Sequence, residues 1–288
     1  MPRDVAGMYS HDGLGWYRSY VSEITASSTA EMMLIPLCFD SFLGPPGVRR
    51  LLLIRGICGF GSTLLLYLAL QHLSLSDATT ITFLGPMLIA SMGSCLLGET
   101  LSWKQTTAGL ISFAGVVLIA RPSAIFGSDE GGTTPEGTAK ERYISVLLEL
   151  TGVLLTAIAW ISLRTIGNRC STYHSIAYFS LVSWVSSFAL MLVTGAPFVL
   201  PSSAESSLLL LLVGVYSLGA QVFQTLGLQR ETAGRAASVT YIQILFATLW
   251  QMTVLHAGFD WLSAVGSAII VSCGLWIAIS QEPSVIAH

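Results

Sequence analysis

"FLGPMLIASMGSCLLGET", residues 83–100, decides how the chain is read. The run is apolar almost throughout, with Pro86 near its start and Glu99 near its close. In a water-soluble core helix an interior proline costs about 3 kcal/mol, because it removes a backbone donor and its ring strikes the carbonyl four residues back. In a bilayer, neighbouring helices can re-satisfy the freed carbonyl, so proline is tolerated. The terminal carboxylate then marks where hydrocarbon stops. The choice depends on whether this run stands alone.

It does not. Only 10% of the 288 residues are charged, against about 25% in soluble domains. Mean hydropathy is +0.71. One or two soluble domains could not be coated with so few charges. The net charge of −3 speaks against a nucleic-acid partner. The five cysteines, Cys38, Cys58, Cys95, Cys170 and Cys273, are scattered without a CxxC pair and read as small packing residues. Residues 1–23 hold Arg3, Asp4, Asp12, Arg18 and Glu23 and lack the apolar centre of a secretory signal.

Spans of about 20 apolar residues cross a bilayer core of about 30 Å. Eight candidates stand out: 51–71, 78–97, 101–120, 143–163, 174–196, 206–228, 233–255 and 259–280. The long link 121–142 is rich in Gly, Thr and charge and reads as an exposed loop between two halves. Arg49, Arg50 and Arg55 precede or open the first span, and Lys104, Arg164, Arg169, Arg230 and Arg235 follow in alternate links. The positive-inside rule therefore puts both chain ends in the cytoplasm and 121–142 on the outer or lumenal side. Arg121, Lys140 and Arg142 run against that pattern.

A repeat lies underneath. A shift of 158 residues sets "YLALQHLSLSDATTITFL" on "TLGLQRETAGRAASVTYI" without a gap. Gly56 falls on Gly214, Gly61 on Gly219, Gln71 on Gln229, Ala78 on Ala236, Thr82 on Thr240 and Trp103 on Trp261. The matched spans are an odd number of helices apart, so the copies run oppositely through the membrane, as in many secondary transporters.

The segment 73–122, "LSLSDATTITFLGPMLIASMGSCLLGETLSWKQTTAGLISFAGVVLIARP", resembles the EamA module of the drug/metabolite transporter superfamily. The resemblance rests on Asp77-Ala78-Thr79, Pro86, Gly98-Glu99, Gly109, Gly115 and Pro122. "LLLIRGICGFGSTLLLYLAL", residues 51–70, is similar to the preceding helix in the fungal-like solute carrier 35 G-type branch. The likeness extends over about residues 48–280, more loosely in the second half, where His256-Ala257 stand in place of a Gly-Glu pair. It implies an all-α polytopic membrane protein built as an inverted repeat of five-helix modules around a central cavity. By that count the eight spans are the third to the tenth helices.

The expected organisation is an atypical N-terminal segment 1–47, a partial first module 48–122, a connecting loop 123–142, a second module 143–281 and a tail 282–288. Segment 24–43 carries Glu31, Pro36 and Asp40 and is expected to lie at the interface or be irregular. The chain by itself is then expected to transport poorly, with activity restored by a partner chain or in a longer isoform; a homodimer or a partner chain is the expected protein partner.

The candidate substrate-binding residues are Thr79, Thr82, Glu149, Gln221, Gln224, Tyr241 and Gln243. Gln221 and Gln224 are three apart on one helix and share a face. Thr79 and Thr82 are the repeat-side counterparts of the stretch around Thr240, Tyr241 and Gln243. Uncharged hydrogen-bonding groups on matching helices suit a midplane site for a polar or amphipathic solute, or else interhelical hydrogen bonds. Glu149 lies about two turns into its span, and an intramembrane carboxylate is functional by default or else reaches water near the interface. Arg55 is expected to snorkel with Arg49 and Arg50 toward headgroups, and its place beside Gly56 also suggests packing. Glu99 reads as a boundary charge, or, by the resemblance, as a structural group of the following turn. His72, His174 and His256 lack ligand spacing, so no metal or other cofactor is expected. The expected function is movement of a small organic solute through a helix-lined cavity, with no enzymatic step. The alternative is a non-transporting membrane scaffold or remnant. The partners are the lipid bilayer and the solute, and the protein is multi-pass in a membrane the sequence leaves unnamed.

Overall fold

The computed structural model describes residues 47–73, 75–99, 103–120, 139–194, 204–244, 246, 249, 253 and 261–279. The expectations for segment 24–43, for most of the loop 121–142 and for His256-Ala257 fall outside them. All regular structure among the described residues is helical. The helices are α1 (Arg49–Ala69), α2 (Leu75–Thr82), α3 (Gly85–Leu97), α4 (Trp103–Ala120), α5 (Ala139–Ile166), α6 (Thr172–Thr194), α7 (Ala204–Arg230), α8 (Ala233–Val239) and α9 (Trp261–Ile279). A 3-10 turn, Gly167–Arg169, joins α5 to α6. Among the described residues, five stretches are long and apolar enough to cross a membrane: Arg49–Ala69, Asp77–Leu97, Lys140–Arg169, Thr172–Val193 and Ser207–Arg230. Shorter apolar helices cover Thr106–Ile119 and Ala264–Cys273.

Two of the eight expected spans are broken. The 78–97 span divides between α2 and α3, and Pro86 explains why. It sits in the first turn of α3, where its missing N–H has no intrahelical partner to lose. At the other end Gly98 adopts φ +66, the left-handed conformation that glycine takes without strain, and its N–H returns to the Gly93 carbonyl. The 233–255 span breaks at the same register: α8 ends at Val239, Thr240 and Tyr241 form a tight turn, and 242–244 are helical again. No proline marks this second break, so the sequence hid it. Thr240 and Tyr241 donate their N–H groups to Ala237 (3.0 Å) and Ser238 (3.4 Å), the i→i+3 pattern of a tightened turn.

The chain divides into two compact units. The first comprises Met1–Gly61 and Ser162–Arg230. Its core packs Val48, just before α1, and Leu52 of α1 against Ile166, Cys170 and Tyr178. Ile176 and Ala177 of α6 pack on Leu218 and Val222 of α7. Gly56 and Gly59 let α1 and α6 approach: a Cβ would stand 2.9 Å from Val182 at the first and 2.7 Å from the Phe179 ring at the second. Gln229 ties the ends together. Its amide nitrogen donates to the carbonyls of Gly167 (2.9 Å) and Cys170 (3.3 Å), and its oxygen accepts from the Thr172 hydroxyl (3.1 Å). Burial pushes the Cys170 thiol up, which fits a packing role. Along α7, Leu208, Leu209, Leu211, Leu212, Val213, Val215, Tyr216 and Phe223 are exposed. Apolar exposure of this extent fits a helix facing lipid.

The second unit comprises Ser62–Ile161 and Glu231–His288. Here α4 and α9, which the 158-residue shift superposes, pack against each other. Gly115 and Gly266 face each other across the seam. A Cβ on Gly115 would stand 2.9 Å from the Gly266 carbonyl oxygen, and one on Gly266 would stand 2.6 Å from that of Gly115. Phe83, Val116, Tyr241, Ile244 and Ile270 form one buried cluster. Ile89, Ala157, Ile161, Ala233 and Ala237 form another.

Candidate functional site

The second unit contains the most distinctive geometry. Phe83 and Tyr241 are the residues at which the two broken helices turn, and they occupy the same place in the repeat. They touch. Their rings stack with centroids 5.9 Å apart, and the Tyr241 hydroxyl donates to the Phe83 carbonyl at 3.2 Å. The bond supplies a donor to a backbone carbonyl of the turn between α2 and α3.

Beside this pair, Thr82 ends α2. Its hydroxyl lies 3.0 Å from the Ala78 carbonyl and 2.7 Å from Oε1 of Glu149. Glu149 is 2% exposed, and its Oε2 is buried with no hydrogen-bond partner. Glu149 therefore does not reach water along its own helix, and its contact is the polar group at the helix break. Thr82 itself is exposed. Thr240, the repeat counterpart of Thr82, also bonds back to its own helix, through the Ala237 carbonyl at 2.6 Å. Such back-bonding bends helices.

Two charged groups secure the ends of these short helices. Glu99 accepts from the Ala233 N–H at 2.7 Å, so the carboxylate that closes the 78–97 span satisfies a donor at the start of α8 and complements its positive end. Glu99 is thus a structural cap. Asp77, in the first turn of α2, pairs with Arg142 of α5 at 3.3 Å.

In the first unit, Arg55 is 6% exposed. It donates to the Ser175 carbonyl and to Oε1 of Gln221, each at 3.1 Å, and its guanidinium lies 4.9 Å from the centre of the Phe179 ring. The expected snorkelling toward headgroups is not what the structure shows. The side chain turns into the protein, where α6 offers a carbonyl and an aromatic face and α7 an amide oxygen.

The candidate residues are thus distributed. Thr82 and Glu149 are brought together. Tyr241 is 2% exposed and is committed to Phe83. Gln243 is exposed and Thr79 half-buried, in the same unit. Gln221 is engaged by Arg55, and Gln224 is exposed, in the other. The sequence reading missed Phe83, Arg55 and Asp77 as partners. For Phe83 the signal was present, because the repeat shift pairs it with Tyr241. Among the described residues no group of three or more His, Cys, Asp or Glu side chains could hold a metal.

Comparison with known proteins agrees with this architecture. The model of the EamA-like transporter family matches twice, over residues 24–121 and 143–279. A probable transport protein of Saccharomyces cerevisiae is 36% identical over 242 residues, which are 81% of this chain and 69% of that protein. Human solute carrier family 35 member G1 is 30% identical over 264 residues, 90% of this chain and 72% of that one. A solved crystal structure shares the fold with a TM-score of 0.73 at 20% identity, over 90% of this chain and 85% of the other. With its duplicated helical module and membrane-length apolar helices, the chain belongs to the EamA-like transporter family and is a multi-pass integral membrane protein.

Proposed function

We propose that the chain moves a small organic solute through a central helix-lined cavity by alternating access. The observation that carries the reading is the meeting of two repeat-related helix breaks at Phe83 and Tyr241. Discontinuous helices at a repeat interface are where secondary transporters bind their cargo, because broken backbone is tolerated at membrane depth only against protein or a cavity. Thr79, Thr82 and Gln243 flank the breaks and offer hydroxyl and amide groups suited to a polar or amphipathic solute. Tyr241, held to the Phe83 carbonyl, positions the turn. Family membership, and relatives named as a transport protein and a solute carrier, favour transport over catalysis.

The test is release from proteoliposomes loaded with a uniformly labelled mixture of cellular metabolites, read by mass spectrometry. One or a few solutes should leave faster than from protein-free vesicles, and that excess should fall in the Thr82→Val variant. Identical release from both vesicle types would favour a scaffold or remnant.

A further inference from the structure

Glu149 is costly where it stands. It lies six residues beyond Tyr143 on α5, about 9 Å along the helix axis, and is buried against the break between α2 and α3. An ionised carboxylate there needs hydrogen-bond donors at both oxygens. Only Oε1 has one, the Thr82 hydroxyl at 2.7 Å, while Oε2 is buried without a partner. The Thr82 hydroxyl owns a single hydrogen yet lies within bonding distance of two acceptors, Glu149 Oε1 and the Ala78 carbonyl. One arrangement uses every hydrogen: a protonated Glu149 donates to the Thr82 oxygen, and Thr82 donates to Ala78. In the ionised arrangement Thr82 must turn its hydrogen to Glu149 and release Ala78.

We infer that Glu149 is the site at which this transporter binds and releases a proton, and that Thr82 relays its protonation state to the last turn of α2. The step is a simple protonation: a carboxylate oxygen takes one proton from water and later returns it, with no change in oxidation state. Exposed Thr82 adjoins the carboxyl on the side of the helix break, so exchange with water passes there. Protonation tightens the α2 terminus through the Thr82–Ala78 bond, and ionisation loosens it next to Phe83. This rests on the transport reading and deepens it by naming the coupled ion.

The surrounding titratable and charged groups do not offer an alternative carrier in the same place. On the segments packed around the centre of α5 they are Tyr67 of α1 with His72 just beyond it, Asp77 of α2, Cys95 of α3 with Glu99 just beyond it, held by the Ala233 N–H, and Arg235 of α8 with Tyr241 just beyond it. On α5 itself they are Lys140, Glu141, Arg142, Tyr143 and Arg164. Asp77 is held by Arg142, Arg235 by Glu231 and Tyr241 by the Phe83 carbonyl.

Infrared difference spectroscopy of the purified, membrane-reconstituted chain tests this without any solute. The carboxylic C=O band is followed from about pH 4 to pH 9, the range in which buried carboxyls titrate. The expected result is one titrating band that is lost in Glu149→Gln and shifted in frequency in Thr82→Val. If Glu149→Gln does not fold, the Thr82→Val shift decides. A difference spectrum that neither variant changes, or a carboxyl band that never titrates, overturns the assignment. Because the experiment contains no solute, its failure is separate from failure of the transport reading. Flux with no titrating Glu149 sinks only the proton, and a titrating Glu149 with no flux sinks only the transport.

Discussion

Arg55 and Glu99 show how a charge can be retained in an apolar chain by giving it a structural task. Replacing Arg55 with Met removes the donors serving the Ser175 carbonyl and Gln221 Oε1. Leaving buried acceptors unmet costs about 1–3 kcal/mol, so Arg55→Met should lower the thermal midpoint in detergent. Arg50→Met, at an exposed position of the same helix, should leave it almost unchanged. Equal effects would return Arg55 to the headgroup role. Glu99→Ala should cost about 0.5–2 kcal/mol, the scale of a lost helix cap, and hydrogen exchange at the Ala233 amide should accelerate. An unchanged exchange rate there would remove Glu99 as a cap. The sequence could not separate these roles. Arg49, Arg50 and Arg55 look alike as a basic cluster at a span's start, and only the neighbours Phe179 and Gln221, more than a hundred residues away, distinguish the third. The Glu149–Thr82 contact was hidden for the same reason, although each residue was singled out alone.

At the scale of helices, the repeat was the most legible feature. The 158-residue shift paired Trp103 with Trp261 at the start of α4 and α9, and these two helices pack on each other in the structure. The break at Pro86 could be read from its chemistry. Its counterpart at Thr240–Tyr241 could not, since nothing in "VTYIQ" lacks a donor. Which face a helix buries was equally opaque, because uniformly apolar helices carry little periodic signal, and exposed Gln224 and Gln243 sit among residues of similar character. The glycine seam provides a sharp test. Gly266→Ala drives a Cβ to 2.6 Å from the Gly115 carbonyl oxygen, a backbone atom that can move only with its helix. It should cost about 1–3 kcal/mol, as overpacking does. Gly109→Ala, on the same pair of helices, meets nothing within 4 Å and should gain up to about 1 kcal/mol of helix propensity. Thermal unfolding of the two variants in one detergent gives the comparison, and a Gly266→Ala protein as stable as the parent would contradict the close packing.

For the whole molecule, charge sets the orientation and the repeat suggests the mode of action. A glycosylation tag inserted near Thr134 should be modified if the positive-inside reading, which predicts 121–142 on the outer or lumenal side, holds. An unmodified tag with cytoplasmic labelling would reverse the topology and with it the oppositely oriented copies. The central claim is carriage by alternating access, which differs from a passive pore or an inert scaffold in one property. A carrier must return its site before it moves another solute, so a solute on the far side speeds the exchange. The direct measurement is counterflow: vesicles containing the chain are filled with an excess of the unlabelled solute found in the release screen and diluted into a trace of its labelled form. Alternating access should give a transient accumulation of label above its equilibrium level, absent from protein-free vesicles. A monotonic approach to equilibrium, the same with and without the protein, would contradict it.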